Sequence, residues 1–361
     1  MMKRKAASDN ERLIGLWLLA CCLVLLALIM LGGATRLTGS GLSMVHWQPL
    51  SVVPPMSEAA WQLEFNAYRQ SPEYIKVNRG MSLDEFKVIY WYEFGHRLLA
   101  RALGLVFALP LAWFWWRGML PKRLNWPMLG LLALGAAQAY MGWYMVKSGL
   151  VDIPRVSPYR LAAHLSLALV IFVIMLRLAL GLLWPARRSP EPPGLIHGLR
   201  LVFALIAITI VSGAFVAGLK AGLVYNTFPL MEGRWVPTGI LALEPTWRNL
   251  FENTATVQFV HRLLAITTLA AIGLVWWASR RTGMPSALAR SISVLLVLAV
   301  AQVLLGIATL LTYVPVTLGT LHQGMAVGVL SAALVAEWLA GRSATLPGAD
   351  QEATSAEPVR V

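Results

Sequence analysis

The chain has 361 residues, of which 58% are hydrophobic and only 13% are charged. A water-soluble fold of this size cannot bury so much apolar surface, so the composition predicts that a lipid bilayer surrounds most of the chain. The net charge of +13 does not indicate nucleic-acid binding, because the basic residues stand in short clusters between apolar runs and form no basic face with interleaved aromatic residues.

Eight apolar stretches, each near the roughly 20 residues that cross a bilayer, predict an all-α integral membrane protein with eight transmembrane helices. In chain order they lie near residues 13–33, 97–116, 126–146, 161–183, 199–218, 260–279, 291–311 and 319–340. The first stretch is uncharged and too long for a signal peptide, so we interpret it as a retained span. The last two share one uncharged run, which Thr312-Tyr313-Val314-Pro315 divides.

The distribution of Lys and Arg between the loops predicts the orientation. One side receives the basic N-terminal segment and the clusters at 117–123, 187–188 and 280–290. The two long loops of the other side mix acidic and basic residues. Because basic loops stay in the cytoplasm, we expect both termini of this multi-pass membrane protein to be cytoplasmic and the long loops to face outward.

The first outer loop has helical signals of its own. Residues 57–70 have the pattern of a short amphipathic helix. The sequence Ser82-Leu83-Asp84-Glu85 is a capping box, which predicts a helix that begins there and runs into the second span.

The two halves of the chain repeat each other. The segment 93–100, EFGHRLLA, matches the segment 258–265, QFVHRLLA, which lies 165 residues later. Ala137-Gln138 recurs as Ala301-Gln302, and Gly33-Ala34 recurs as Gly213-Ala214. Each half holds four spans, so we expect two pseudo-symmetric four-helix bundles related by an axis along the membrane normal.

This repeat divides the chain into a cytoplasmic segment at 1–12, an N-terminal half at 13–190, a C-terminal half at 191–341 and a disordered tail at 342–361.

Four of the six histidines occupy equivalent positions, namely His96, His164, His261 and His322. All four are expected at the beginning of even-numbered spans, at a similar depth. Ionisable side chains within spans are costly and indicate function. Two imidazoles that face each other in a four-helix bundle can provide both axial ligands of a b-type haem. Zinc would need three or four ligands, and no Cys or carboxylate cluster completes such a set.

Charged residues beside these histidines are further candidates. Arg97 and Arg262 each follow a histidine and could bind haem propionates or simply anchor the helix at the membrane interface. Glu93 lies one helical turn before His96, whereas Gln258 takes its place in the second half. This difference favours one site for chemistry and one for electron transfer, although a solvated acid at the end of a loop has the same spacing.

Several motifs resemble the haem A synthase family. In the N-terminal half they are GGATRLTGSGLSM at 32–44, PEY at 72–74 and MSLDEFKVIYWYEFGHR at 81–97. In the C-terminal half they are VAGLKAGLVYNTFPLM at 216–231, QFVHRLLA at 258–265 and LHQG at 321–324. They occur in the family's order over about four-fifths of the chain.

The resemblance implies an oxidoreductase that oxidises a ring methyl group of haem O to the formyl group of haem A, through hydroxylated intermediates. It implies a haem b cofactor on His261 and His322, and a haem O substrate on His96 and His164. Glu93 matches the acidic residue for which the family implies a catalytic role. We expect this carboxylate to handle protons during the oxidations.

The resemblance also bears on subfamily and partners. Some members carry a cysteine pair in their outer loops, whereas the only cysteines here are Cys21 and Cys22 in the first span. The chain therefore resembles the cysteine-free branch of alphaproteobacteria and mitochondria. Partners in this interpretation are the farnesyltransferase that makes haem O and an electron-transfer protein. Other interpretations of the repeat are a di-haem b-type electron-transfer cytochrome, a transporter with parallel repeats and a structural subunit.

Overall fold

The structure is a computed structural model, and it describes residues 2–46, 53–147, 156–184, 193–280 and 286–341. Within these ranges the chain forms eleven α-helices and no β-strand. The helices are α1 (Met2–Leu37), α2 (Glu58–Arg69), α3 (Pro72–Lys76), α4 (Leu83–Trp116), α5 (Asn125–Lys147), α6 (Pro158–Leu183), α7 (Pro193–Gly218), α8 (Asn249–Glu252), α9 (Thr254–Ser279), α10 (Ser286–Leu311) and α11 (Val316–Gly341). The tail predicted at 342–361 lies outside the described residues.

Eight of these helices are long and apolar enough to cross a bilayer, and α2, α3 and α8 are the exceptions. The predicted all-α multi-pass membrane fold is therefore confirmed. Because hydropathy marks only the apolar part of a helix, the helices extend beyond the predicted spans. The second span is the clearest case, since α4 begins at Leu83 and not near residue 97.

The start of α4 is set by the predicted capping box. The Ser82 hydroxyl accepts a hydrogen bond from the Glu85 backbone N–H, and the Glu85 carboxylate accepts one from the Ser82 N–H. Two of the backbone donors that a helix leaves open at its start are satisfied in this way. The predicted amphipathic helix is also present as α2, and Ser57 caps it.

Aromatic side chains attach α2 to the extension of α4. On α2, Trp61 contacts Tyr90 at 5.0 Å between ring centroids, and Tyr68 stacks on Phe86 at 5.1 Å. Phe86 is completely buried in this cluster. The contact gives the long connection between α1 and α4 an apolar core outside the spans.

The spanning helices contact one another in two sets of four. In the first set α1 contacts α4 and α6, and α5 contacts α4 and α6. In the second set α7 contacts α9 and α11, and α10 contacts α9 and α11. The sets meet where α1 packs against α11 and where α6 packs against α7. The pseudo-two-fold axis and the boundary between the halves stay predictions.

Two polar side chains cross between the sets. The Arg36 guanidinium at the end of α1 donates to the carbonyl oxygens of Ala217 and Gly218, both at 3.1 Å, and so satisfies open acceptors at the end of α7. The Gln323 amide of α11 donates to the Ile29 carbonyl oxygen of α1 at 2.8 Å. A β-carbon on Gly33 would collide with this Gln323 side chain. The sets are therefore joined by hydrogen bonds as well as by apolar packing.

We predict that Gly218→Ala destabilises the junction of α6 and α7. The new β-carbon would lie 2.9 Å from Cα of Pro158, which is backbone and cannot move aside cheaply. We expect a loss of about 1–3 kcal/mol, measured as a lower melting temperature in detergent. Gly104→Ala is the matched control, since its β-carbon meets no atom within 4 Å. Equal melting temperatures for the two variants would contradict the prediction.

Candidate functional site

Three of the repeated histidines, namely His164, His261 and His322, lie within the first eight residues of α6, α9 and α11, whereas His96 is the fourteenth residue of α4. All four are half-buried. His96 and His164 are close enough for their charges to interact, and the same holds for His261 and His322. The two histidines of each predicted pair therefore lie in the same set of four helices, and their use as haem ligands stays a prediction. His96 is further from the start of its helix than the others because α4 has the capped extension.

Each histidine ring lies against a glycine of a neighbouring helix. A β-carbon on Gly32 would lie 3.1 Å from Nε2 of His96, and one on Gly306 would lie 2.7 Å from Cε1 of His322. The other two contacts have the same form, and they join Gly142 to His164 at 3.3 Å and Gly213 to His261 at 3.1 Å. A β-carbon on Gly306 would force the His322 ring to move, and one at the other three places would press tightly on an imidazole.

Two glutamines support the second histidine of each pair. The Gln138 amide donates to the carbonyl oxygen of His164 at 3.1 Å, and Gln302 donates to that of His322 at 3.0 Å. Both glutamines lie in the repeated Ala-Gln dipeptide, so the repeat was a sequence signal for them. Neither glutamine is a predicted site residue, because a glutamine within a span has no characteristic spacing to a ligand.

Buried nitrogen atoms at these positions lack a protein partner. Nδ1 of His164 and Nδ1 of His322 are buried, and neither has a hydrogen-bond partner among the described residues. Buried polar atoms without a partner are rare in folded proteins and call for an explanation. The other ring nitrogen, Nε2, lies 3.4 Å from the Gln138 amide nitrogen in His164 and 3.5 Å from the Gln302 amide nitrogen in His322.

A serine on α7 orients the remaining C-terminal histidine. Ser212 Oγ lies 2.7 Å from Nδ1 of His261 and also donates to the Thr209 carbonyl oxygen at 2.8 Å. The contact joins residues that are far apart in the chain and on different helices, so sequence reasoning missed it.

Glu93 is buried, with 3% of its surface exposed, which excludes the solvated acid that the spacing alone allowed. Its carboxylate accepts hydrogen bonds from Ser43 Oγ at 2.7 Å and from the Met44 N–H at 2.9 Å. Arg97 Nη2 forms an ion pair with the other carboxylate oxygen at 2.5 Å and also donates to the Met44 carbonyl oxygen. The pair therefore fixes the segment after α1 over the site.

The equivalent pair in the second half binds the loop after α7 in a similar way but without the acid. Gln258 is buried and donates to the carbonyl oxygens of Ala221 and Tyr225. Arg262 donates to the carbonyl oxygens of Tyr225 and Thr227, both at 2.9 Å. Both arginines thus bond to protein atoms next to a histidine pair, and their contact with propionates stays a prediction.

The residues present fit a haem in each half. Within the described residues, no three His, Cys, Asp or Glu side chains come close enough to hold a bare metal ion. A porphyrin supplies four ligands in its own plane and needs only two from the protein, which is what each histidine pair offers. The close approach of a helix backbone to each imidazole agrees with this use.

A second buried carboxylate lies near the Glu93 network. Glu73, in the PEY element, accepts a hydrogen bond from the Tyr68 hydroxyl at 3.2 Å, and Asn78 donates to the same hydroxyl at 2.7 Å. Burial raises the pKa of Glu73 to about 7, and the charge of Glu93 adds to this effect. The positive charges of Lys220 and Arg36 lower this pKa but do not cancel the effect of burial.

The chain is similar to a family of known membrane enzymes. Residues 15–334 match the model of the family COX15-CtaA, described as cytochrome oxidase assembly protein. A heme A synthase from Nitrosospira multiformis is 46% identical over 90% of this chain and 92% of its own length. Heme A synthase COX15 of Arabidopsis thaliana is 46% identical over 90% of this chain and 74% of its own length. The mouse protein of that name is 45% identical over 93% and 83%.

We predict that Glu73 makes stability depend on pH. The folded protein raises this pKa from 4.5 to about 7. The contribution of Glu73 to the free energy of unfolding is therefore highest below pH 4.5 and is lost as the pH rises through 7. Glu73→Gln removes the cost of a buried charge, so its melting temperature should exceed that of the wild type at pH 8. The difference should shrink towards pH 5. A difference that is constant from pH 5 to 8 would contradict the prediction.

Proposed function

Since the chain belongs to the haem A synthase family, we propose that it oxidises haem O to haem A in the membrane and divides the work between its two histidine pairs. The product's formyl group is made from a ring methyl group, so the protein is an oxidoreductase. Bound haem iron supplies the redox chemistry, while the protein supplies ligands, orientation and control of water and protons. The observation that carries the proposal is the presence of one histidine pair per half within a chain of this family.

We assign the cofactor, haem b, to His261 and His322 in the C-terminal half. The Ser212 contact and the Gln302 contact hold these residues in place from two sides. The neighbouring polar residue is the neutral Gln258, which hydrogen-bonds carbonyl oxygens and has no proton to give up readily. Such surroundings suit a haem that stays bound and exchanges electrons.

The substrate, haem O, is assigned to His96 and His164 in the N-terminal half. Glu93 differs in charge from its repeat counterpart Gln258, and it lies one turn from His96. Its carboxylate can take up a proton that the substrate loses, and Arg97, Ser43 and the Met44 N–H hold it in place for that task. Arg97 and Arg262, each next to a proposed ligand, are the candidates for binding propionates.

The cellular setting is also a proposal. The basic clusters at the loop ends support cytoplasmic termini, and the similarity to a bacterial heme A synthase supports insertion in the inner membrane of a bacterium. We propose that haem O arrives from the farnesyltransferase that makes it and that an electron-transfer protein serves the C-terminal haem. The acidic asymmetry at Glu93 and the family membership favour this enzyme over a di-haem cytochrome that only passes electrons.

The proposed function can be tested by purifying the protein from cells that make haem O. Its haems are extracted and identified by chromatography and mass spectrometry. Haem b together with haem A, haem O or a hydroxylated intermediate is expected. Haem b alone from a competent host would favour the electron-transfer cytochrome, and no haem at all would overturn both interpretations.

We expect Glu93→Gln to lower the conversion of haem O by about a hundredfold, because the amide cannot accept a proton. The control is Glu58→Gln, which changes an exposed side chain on α2 and should convert haem O normally. Haem content should stay the same in both variants. Full conversion by Glu93→Gln would show that this carboxylate has no role in the chemistry.

The two histidine pairs should fail in different ways when they are replaced. His261→Ala and His322→Ala are expected to lose the optical spectrum of haem b, because each removes an axial ligand. His96→Ala and His164→Ala should keep that spectrum and lose haem A formation. His197→Ala, outside both pairs, is the control. Loss of haem b on replacing His96 would reverse the assignment of the halves.

A further inference from the structure

The two helices that open the halves differ at the position next to the first histidine. Since Gly33-Ala34 corresponds to Gly213-Ala214, Ser212 is the repeat counterpart of Gly32. Both positions lie beside a proposed ligand. Gly32 contacts His96, whereas Ser212 hydrogen-bonds His261. At this position the helix therefore presents only backbone to His96 but a hydroxyl to His261.

The hydroxyl determines which nitrogen of His261 carries the proton. Ser212 has one hydrogen, and the Thr209 carbonyl oxygen, 2.8 Å away, can only accept it. When Ser212 donates this hydrogen to Thr209, its Oγ accepts the hydrogen bond from His261, and Nδ1 of the imidazole is the N–H nitrogen. The lone pair of the neutral ring is left on Nε2, the nitrogen that remains for iron.

The ring is also restrained in position. Gly213 lies behind Cε1 of His261 and Ser212 bonds Nδ1, so rotation about the Cβ–Cγ bond would break a hydrogen bond in the bundle interior. In the other half, Gly32 allows a similarly close approach by His96 but offers no hydroxyl. The two imidazoles differ in restraint although their helices repeat.

We propose that Ser212 is the positioning residue that makes the C-terminal haem permanent, and that glycine in its place leaves His96 free to take up and release the substrate haem. This inference rests on the proposed function, because it needs haem b on His261. Partners of metal-bound histidines change metal affinity about 10–100-fold when they are removed. A difference of that size separates a retained cofactor from a substrate that must leave.

The test compares Ser212→Thr with Ser212→Val, which have the same shape and differ in the hydroxyl, and includes Ser212→Ala. Each purified protein in detergent is mixed with apomyoglobin, and the rate at which haem b moves to the myoglobin is recorded. Removing the hydroxyl should speed this loss about tenfold or more in the Val and Ala variants. Thr should restore slow loss relative to Val.

A redox titration gives a second readout, which a purely structural effect would not move in this pattern. The hydrogen bond makes the imidazole a stronger donor and favours ferric iron, so its loss should raise the midpoint potential of haem b in the Val and Ala variants. Ser331→Ala is the control, since among the described residues that hydroxyl bonds only the Val327 carbonyl oxygen of its own helix. It should match the wild type in both measurements.

The outcomes separate this inference from the proposed function. If the wild type holds haem b and the Val and Thr variants lose it at equal rates with equal potentials, the role of Ser212 is wrong and the assignment of the halves stands. If haem b survives His261→Ala, the assignment itself is wrong and the inference fails with it.

Discussion

The backbone of a neighbouring helix lies directly against each of the four imidazoles, and this close approach depends on a glycine at every contact. Within a bilayer, helices gain little from hydrophobic association and rely on close packing and on hydrogen bonds. Small residues let the helices approach, and the approach in turn fixes where a histidine side chain can lie. The positions of Gly32, Gly142, Gly213 and Gly306 therefore control both helix packing and the geometry of the candidate haem sites.

Upon this shared frame the two halves are made chemically different by very few side chains. In each half the arginine that directly follows the first histidine donates a hydrogen bond to the loop after the first helix. Four residues before this arginine stands a carboxylate in the N-terminal half, Glu93, and an amide in the C-terminal half, Gln258. The C-terminal half has a serine, Ser212, where the N-terminal half has Gly32. A duplicated bundle can thus acquire a site for chemistry and a site for a resident haem through single substitutions.

The two sites are not isolated from each other. Gln323 directly follows His322 and hydrogen-bonds the backbone of α1 next to Gly33. Gly32, the adjacent residue, contacts His96. Gly32 and Gly33 therefore lie between Gln323, which follows His322 of the C-terminal pair, and His96 of the N-terminal pair. Close packing here brings residues next to the two histidine pairs together at the junction of the helix sets.

The sequence by itself determined the eight spans, the capped start of α4, the short helix α2 and the four histidines, because these depend on local hydropathy, local capping or the internal repeat. Tertiary structure decided what those side chains touch. The burial of Glu93 under Ser43 and Met44, the contact of Ser212 with His261, and the support from Gln138 and Gln302 join residues on different elements. Such contacts depend on how far each helix is rotated and how closely it packs, which no local pattern specifies.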